Sequence, residues 1–180
     1  MKRSVLGFFC ILLTAAAASS AQVVPSAAGR QLSLTAGALG SAFQPDYAGG
    51  PVEQTSPNRL YGVGAYVDLR LTRWVQLEAE ARWQRYNEYL GINEDNYLVG
   101  PRLPIHHFGR ATPYAKALVG FGSGSFLTGH AGTFAFGGGV DYRLTKRISV
   151  RAIDFEYQRW NVTPTLYPYG VSAGIGYKIF

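Results

Sequence analysis

Gly64-Ala-Tyr-Val-Asp-Leu-Arg-Leu-Thr-Arg-Trp-Val-Gln-Leu-Glu-Ala-Glu-Ala-Arg-Trp-Gln-Arg85 decides the fold. The chain carries a second version of it, Gly137-Gly-Gly-Val-Asp-Tyr-Arg-Leu-Thr-Lys-Arg-Ile-Ser-Val-Arg-Ala-Ile-Asp-Phe-Glu-Tyr-Gln-Arg159. Both contain Asp-x-Arg-Leu-Thr followed by a basic residue, at Asp68 and at Asp141. In the first copy Val63, Ala65, Val67, Leu69 and Leu71 alternate with Gly64, Tyr66, Asp68, Arg70 and Thr72. Beyond the turn, Val75, Leu77, Ala79, Ala81 and Trp83 alternate with Gln76, Glu78, Glu80, Arg82 and Gln84. A period of two gathers charge on one side of a strand, whereas a helix would scatter it around the axis. Each copy therefore reads as strand, tight turn, strand.

The second copy keeps the alternation with one slip. Phe134, Phe136, Gly138, Val140, Tyr142 and Leu144 share a face, and Ile148, Val150 and Ala152 return along it. Phe155, Tyr157 and Arg159 then continue that face, one residue out of step, opposite Asp154, Glu156 and Gln158. A β-bulge near Ile153 absorbs an extra residue and restores the register.

The same pattern extends in both directions. A first strand is predicted from about Gln31 to Phe43, a fourth from Asn96 to His107, a fifth from Pro113 to Ser123 and an eighth from Tyr169. Short connections fall near Arg70–Arg73, Gly109–Thr112 and Arg143–Arg147. Longer ones, rich in Gly, Pro, Asn and Asp, fall at Gln44–Asn58, Asn87–Asp95, Gly124–Gly132 and Asn161–Pro168. Short and long turns alternating around an even number of strands predict an all-β chain, an eight-stranded antiparallel up-and-down transmembrane β-barrel. Tyr61, Trp83, Tyr97, Phe121, Phe134 and Tyr157 gather on the apolar face near the outer strand ends, as at a membrane interface.

The N-terminus carries Lys2 and Arg3, an apolar run from Val5 to Ala18, and Ser19-Ser20-Ala21. That is the pattern of a secretory signal peptide over residues 1–21, leaving a single barrel domain over residues 22–180. Cys10 lies in the signal, so disulfides and thiolate metal sites are excluded from the mature chain. The signal holds two of the 17 basic residues and none of the 11 acids, which leaves a mild net charge of +4. Bases alternate with acids inside strands, with no basic arm or patch of the kind that binds nucleic acid.

The hairpins, the signal peptide and the closing Gly174-Ile-Gly-Tyr-Lys-Ile-Phe180 resemble the outer-membrane β-barrel domain family, the small eight-stranded OmpA- and OmpX-like barrels. The resemblance covers the whole mature chain. It implies residence in the cell outer membrane as a monomer among outer-membrane lipid, with the short turns toward the periplasm. It also implies recognition by the barrel assembly machinery through Gly174, Tyr177, Ile179 and Phe180. Tyr177 and Ile179 share a phase, and Phe180 falls one residue beyond it.

The polar face sends Asp68, Glu78, Glu80, Asp141, Asp154 and Glu156 into the lumen with Arg70, Arg82, Arg102, Lys116, Arg143, Arg151 and Lys178. An eight-stranded barrel is just wide enough for side chains to fill. Six acids against seven bases therefore predict a plugged, nearly neutral interior. No catalytic set, cofactor site or metal site is expected. His106 and His107 point to opposite faces of one strand, His130 is in a loop, and Gly120-Phe-Gly-Ser-Gly124 precedes no helix. The role expected is structural or surface-interacting, through extracellular loops that meet ligands or surfaces. A lipid-modifying enzyme, a small-solute channel and a soluble lipocalin-like binding barrel are the alternatives.

Overall fold

The computed structural model describes residues 32–46, 59–88, 91–125 and 127–180. The signal-peptide segment, Gln31 and most of the connection expected over Gln44–Asn58 lie outside them. The wall is made of eight strands: β1 (Ser33–Gln44), β2 (Leu60–Arg70), β3 (Gln76–Tyr86), β4 (Glu94–Pro104), β5 (Ala111–Gly124), β6 (Ala131–Arg143), β7 (Ile148–Asn161) and β8 (Tyr169–Lys178). Each strand pairs antiparallel with its sequence neighbours, and β1 pairs with β8, so the sheet closes into a barrel. Closure leaves no strand edge unpaired, which a bilayer interior demands because lipid offers no hydrogen bonds.

The period-two pattern becomes the two faces of this wall. Val63 (51 % exposed), Phe136 (60 %) and Ile175 (54 %) stand outward among a continuous band of apolar side chains. Glu78, Arg82 and Arg151 point inward and are fully buried. A soluble barrel places its faces the other way round, apolar side chains inside and charges outside. Girdles of aromatics flank the band. Tyr61, Tyr97, Phe121, Tyr157 and Tyr169 stand at one end, and Trp74, Phe108, Tyr142 and Tyr177 at the other. Across the first girdle the Trp83 indole N–H donates to the Tyr97 hydroxyl at 3.0 Å, and the Tyr97 and Phe121 rings lie 5.3 Å apart.

One mouth carries the connections 71–75, 105–110 and 144–147 together with the start of β1 and the end of β8; it is called the inner mouth below. The outer mouth carries 45–59, 87–93, 125–130 and 162–168. Beyond the 45–59 connection the lengths differ less than the sequence suggests. β4, β5 and β6 reach further toward the loops than expected, because ladder pairing continues through Glu94↔Gly124, Asp95↔Ser123 and Gly122↔Ala131.

The repeated Arg-Leu-Thr motif has a local cause. In the first turn Leu71 N and Thr72 N donate to Val75 O, while Trp74 N and Val75 N donate to Thr72 Oγ1. In the second, Leu144 N and Thr145 N donate to Ile148 O, and Arg147 N and Ile148 N donate to Thr145 Oγ1. A threonine hydroxyl thus gathers the two amides that the tight turn leaves without ladder partners. The expected slip is also present. Val140 pairs with Ile153 but Asp141 pairs with Arg151, so Ala152 is the extra residue, and the β7–β8 register shifts at the same place. Both Arg151 and Asp154 therefore point into the lumen.

Candidate functional site

The lumen fills in three layers. In the middle layer four cations, Arg82, Arg102, Lys116 and Arg151, meet six carboxylates, Asp68, Glu78, Glu80, Asp141, Asp154 and Glu156. The contacts cross the axis rather than follow one strand. From β3, Arg82 reaches Glu156 at 2.7 Å and Asp154 at 3.0 Å on β7, and Glu80 on its own strand at 3.2 Å. From β7, Arg151 reaches Glu78 at 3.0 Å and Asp68 at 3.1 Å. From β5, Lys116 Nζ lies 2.8 Å from both Asp154 and Glu156, 3.0 Å from Glu80 and 3.3 Å from Glu78.

Asp68 and Glu78 stand directly opposite each other on β2 and β3, which isolated like charges would oppose. Two guanidiniums bridge them. Arg151 binds both, and Arg102 lies 3.5 Å from Asp68 and 3.1 Å from Glu78; its Nε forms an ion pair there without hydrogen-bond alignment. Arg102 also pairs with Asp141 at 2.5 Å. Aromatic rings hold the guanidiniums flat. Arg102 lies 3.6 Å from the Tyr114 ring centroid and Arg151 3.8 Å from that of Tyr66. The Tyr114 hydroxyl donates to Asp154 at 3.0 Å. Room for Tyr66 comes from Gly37, where a Cβ would lie 2.4 Å from the ring. Buried ion pairs add little net stability, but removing one partner strands a charge in a dry interior. The layer therefore spans the lumen as one connected set of buried ion pairs.

The outer layer is nearly uncharged. Trp160, Phe43, Leu60, Leu98 and Leu118 are buried beside Gln84, Gln158, Asn96 and Glu94. The Trp160 indole donates to Gln158 at 2.8 Å, and Gln84 donates to Ser41 at 2.7 Å. Gly122 makes way for Trp160, since a Cβ there would lie 2.6 Å from the indole ring. The inner layer is an open mouth of about 280 Å³ with largely basic walls.

Three residues that the sequence placed in the charge network stand apart from it. Arg70, Arg143 and Lys178 line the inner mouth and make no side-chain ion pair or hydrogen bond with the described residues. Each ends its strand, Arg70 and Arg143 two residues beyond Asp68 and Asp141 of the middle layer, where hydration outcompetes a buried pair. The near balance expected of six acids and seven bases is instead six against four. The cations of the mouth face this excess of negative charge. Sequence reasoning put Tyr66 on the polar face without giving it a role, and the structure buries Tyr114 beside the same network. Their value lies in stacking on arginines: Tyr114 on Arg102 of the neighbouring strand β4, and Tyr66 on Arg151 of β7, which only the closed barrel brings within reach.

Among the described residues, the carboxylates close enough to share a metal ion are Glu78, Glu80 and Asp154, and Lys116 Nζ already occupies the space among them. His106 and His107 lie beyond the end of β4 and are exposed; His107 Nδ1 is 2.8 Å from Thr112 Oγ1. Exposed His130 packs its ring against Phe121. Of the C-terminal residues, Tyr177 and Ile179 face outward, Gly174 lies on the lumen side of β8, and Phe180 O accepts from Leu34 N at 3.2 Å.

The profile of the outer membrane protein β-barrel domain matches residues 8–178. No curated protein matches the chain. The barrel is similar in fold to Neisserial surface protein A, with a TM-score of 0.58 at 13% identity, covering 81% of this chain and 96% of that one. It is similar to the outer membrane protein OprG from Pseudomonas aeruginosa, with a TM-score of 0.53 at 11% identity and coverage of 82% and 95%. The N-terminal β-barrel domain of Pseudomonas aeruginosa OprF gives a TM-score of 0.52 at 13% identity and coverage of 83% and 100%.

Proposed function

The chain belongs to the outer membrane protein β-barrel domain family, and from that premise we propose a closed, non-conducting outer-membrane barrel that acts through its extracellular loops. One observation carries this reading: the ion-pair layer crosses the lumen from β3 and β2 to β7, with Lys116 bonded to four carboxylates at its centre. An ion entering the lumen would have to break several buried pairs at once, each costly to separate in a low-dielectric interior.

With the lumen closed, the outer mouth is the part available to extracellular partners. Its loops are tied to one another. Ser125 links to Asn93 and Gly91, and Tyr167 N donates to Asp46 at 2.9 Å. Such cross-tied loops present a defined surface to a ligand or another cell surface, at lower ordering cost than free loops. No chemistry is assigned to the barrel: the six carboxylates of its middle layer are held in ion pairs rather than poised beside a nucleophile. Assembly would use the outward aromatic phase of β8, with Tyr177 and Ile179 as the recognised side chains.

Planar-bilayer recording tests the closed lumen. The expected result is no stable openings for the intact protein, with openings appearing when Lys116 and Arg82 are both replaced by Ala in barrels that still fold. Reproducible open channels in the intact protein would replace this reading with that of a small-solute pore. Binding of intact cells to candidate surfaces, with loops 125–130 and 162–168 exchanged for short turns, tests the loop role.

A further inference from the structure

The charges that the plug does not use are sorted along the barrel axis. Outside the middle layer, the described acids Asp46, Glu88, Glu94 and Asp95 all lie at or near the outer mouth. The inner mouth collects bases instead. Arg70, Arg110, Arg143, Lys146 and Lys178 line its cavity, and none has a side-chain hydrogen bond or ion pair among the described residues. The acids reaching the cavity, Asp68 and Asp141, are already held by Arg102 and Arg151. The concavity has a solid floor, because Arg102 (3 % exposed) caps it from the buried layer.

A cleft lined by one sign of charge with low-dielectric walls focuses field and concentrates the opposite ion. Several cations converging on a small volume match a compact anion with several oxygens, and guanidiniums match phosphate by paired donors. Hydroxyls add neutral donors, among them Thr35, Thr112 and Ser149. The volume of about 280 Å³ sets the size, since at ~30 Å³ per water it holds about nine waters. That admits a phosphate or pyrophosphate group with part of its hydration, and excludes a glycan chain.

We propose that the inner mouth is a binding site for a phosphate-bearing anion, held by Arg70, Arg110, Arg143 and Lys178 over the floor made by Arg102. The site is distinct from the outer loops and does not depend on their role. The phosphate can come from solution or from a lipid headgroup reaching in from the periplasmic leaflet.

The test uses the full mature protein folded into nanodiscs of phosphatidylcholine, titrated with inorganic phosphate and pyrophosphate at low ionic strength. Binding is read by calorimetry and by amide shifts of residues 143–147 and 109–112. The expected result is saturable binding that is tighter for pyrophosphate, weakens steeply with salt, and falls at least tenfold in Arg143→Gln/Lys178→Gln. Heat-modifiable gel mobility shows that the variant is folded. Among the described residues neither side chain has a hydrogen-bond or ion-pair partner, so folding itself should be unaffected. A second arm uses nanodiscs containing phosphatidylglycerol. Shifts of the same amides in that lipid, absent in the double variant, would identify the headgroup as the source even where free phosphate does not bind. Unsaturable shifts in both arms, or equal binding by the double variant, overturn the proposal.

Discussion

The two hairpins, β2–β3 and β6–β7, begin alike and end opposite. Their turns use the same four hydrogen bonds around Thr72 and Thr145. Six residues past that threonine the first hairpin has Glu78 and the second has Arg151. Further along, beyond the bulge in β7, Arg82 answers Glu156, and Gln84 answers Gln158. The positions of opposite sign are the ones that meet on the axis, Glu78 with Arg151 at 3.0 Å and Arg82 with Glu156 at 2.7 Å. Where both copies are acidic, a cation from another strand intervenes. Lys116 lies between Glu80 and Asp154, and Arg102 between Asp68 and Asp141. A repeated scaffold thus carries a non-repeated charge pattern. The scaffold sets where the walls stand, and the pattern makes the two walls complementary.

The strongest way to break this complementarity is to remove one side of it. Arg151→Met leaves Glu78 and Asp68 short of a partner in the buried layer. It should cost about 3–5 kcal/mol in urea unfolding from lipid vesicles. Adding Glu78→Gln should recover part of that loss, because the stranded acid is gone; strictly additive losses would mean that the hairpins do not couple across the axis. The outward face of the same hairpin gives the next effect. Leu77→Arg places a charge in the apolar band and should cost ~2–4 kcal/mol if it lies at mid-membrane, while Thr72→Arg at the turn should cost much less. Equal costs would contradict the assignment of faces.

The shared turn predicts a smaller, matched effect. Thr72→Ala and Thr145→Ala each remove an acceptor from two amides and should each cost ~0.5–1.5 kcal/mol, equal within error. A large difference would show that the turns are alike in geometry only. Arg143→Ala should change stability least, within about 0.5 kcal/mol, since its guanidinium has no hydrogen-bond or ion-pair partner among the described residues. A loss comparable with that of Arg151→Met would place it in the plug after all.

How far the sequence could be read follows from the range of each interaction. Strand direction, faces and the bulge near Ile153 depend on neighbours along the chain and on burial, and period-two patterning reports both. Membership of Asp68, Glu78 and Arg82 in an inward row was legible for the same reason. The choice of partner was not. Arg70 and Arg82 look equivalent in a linear pattern, and only strand length and axial height put Arg70 in water and Arg82 beneath Glu156. The parts played by Tyr66 and Tyr114 depend on arginines of other strands, Arg151 on β7 and Arg102 on β4, and alternation does not encode such partners.

The seam between first and last strands sets an order of events. Ile179 N donates to Leu34 O at 2.7 Å, and β1 lies against β8 from Thr35 to Gln44. This pairing spans nearly the whole chain, so its loop-closure entropy is the largest in the fold, and it forms slowly compared with the local hairpins. Until it forms, the arginines and carboxylates of the plug face an open trough rather than one another and must stay hydrated. A half-closed sheet therefore cannot sink into lipid without dragging bare charges with it. Ring closure and membrane entry are thus one kinetic event, and a catalyst that holds the β1–β8 edges together would accelerate both.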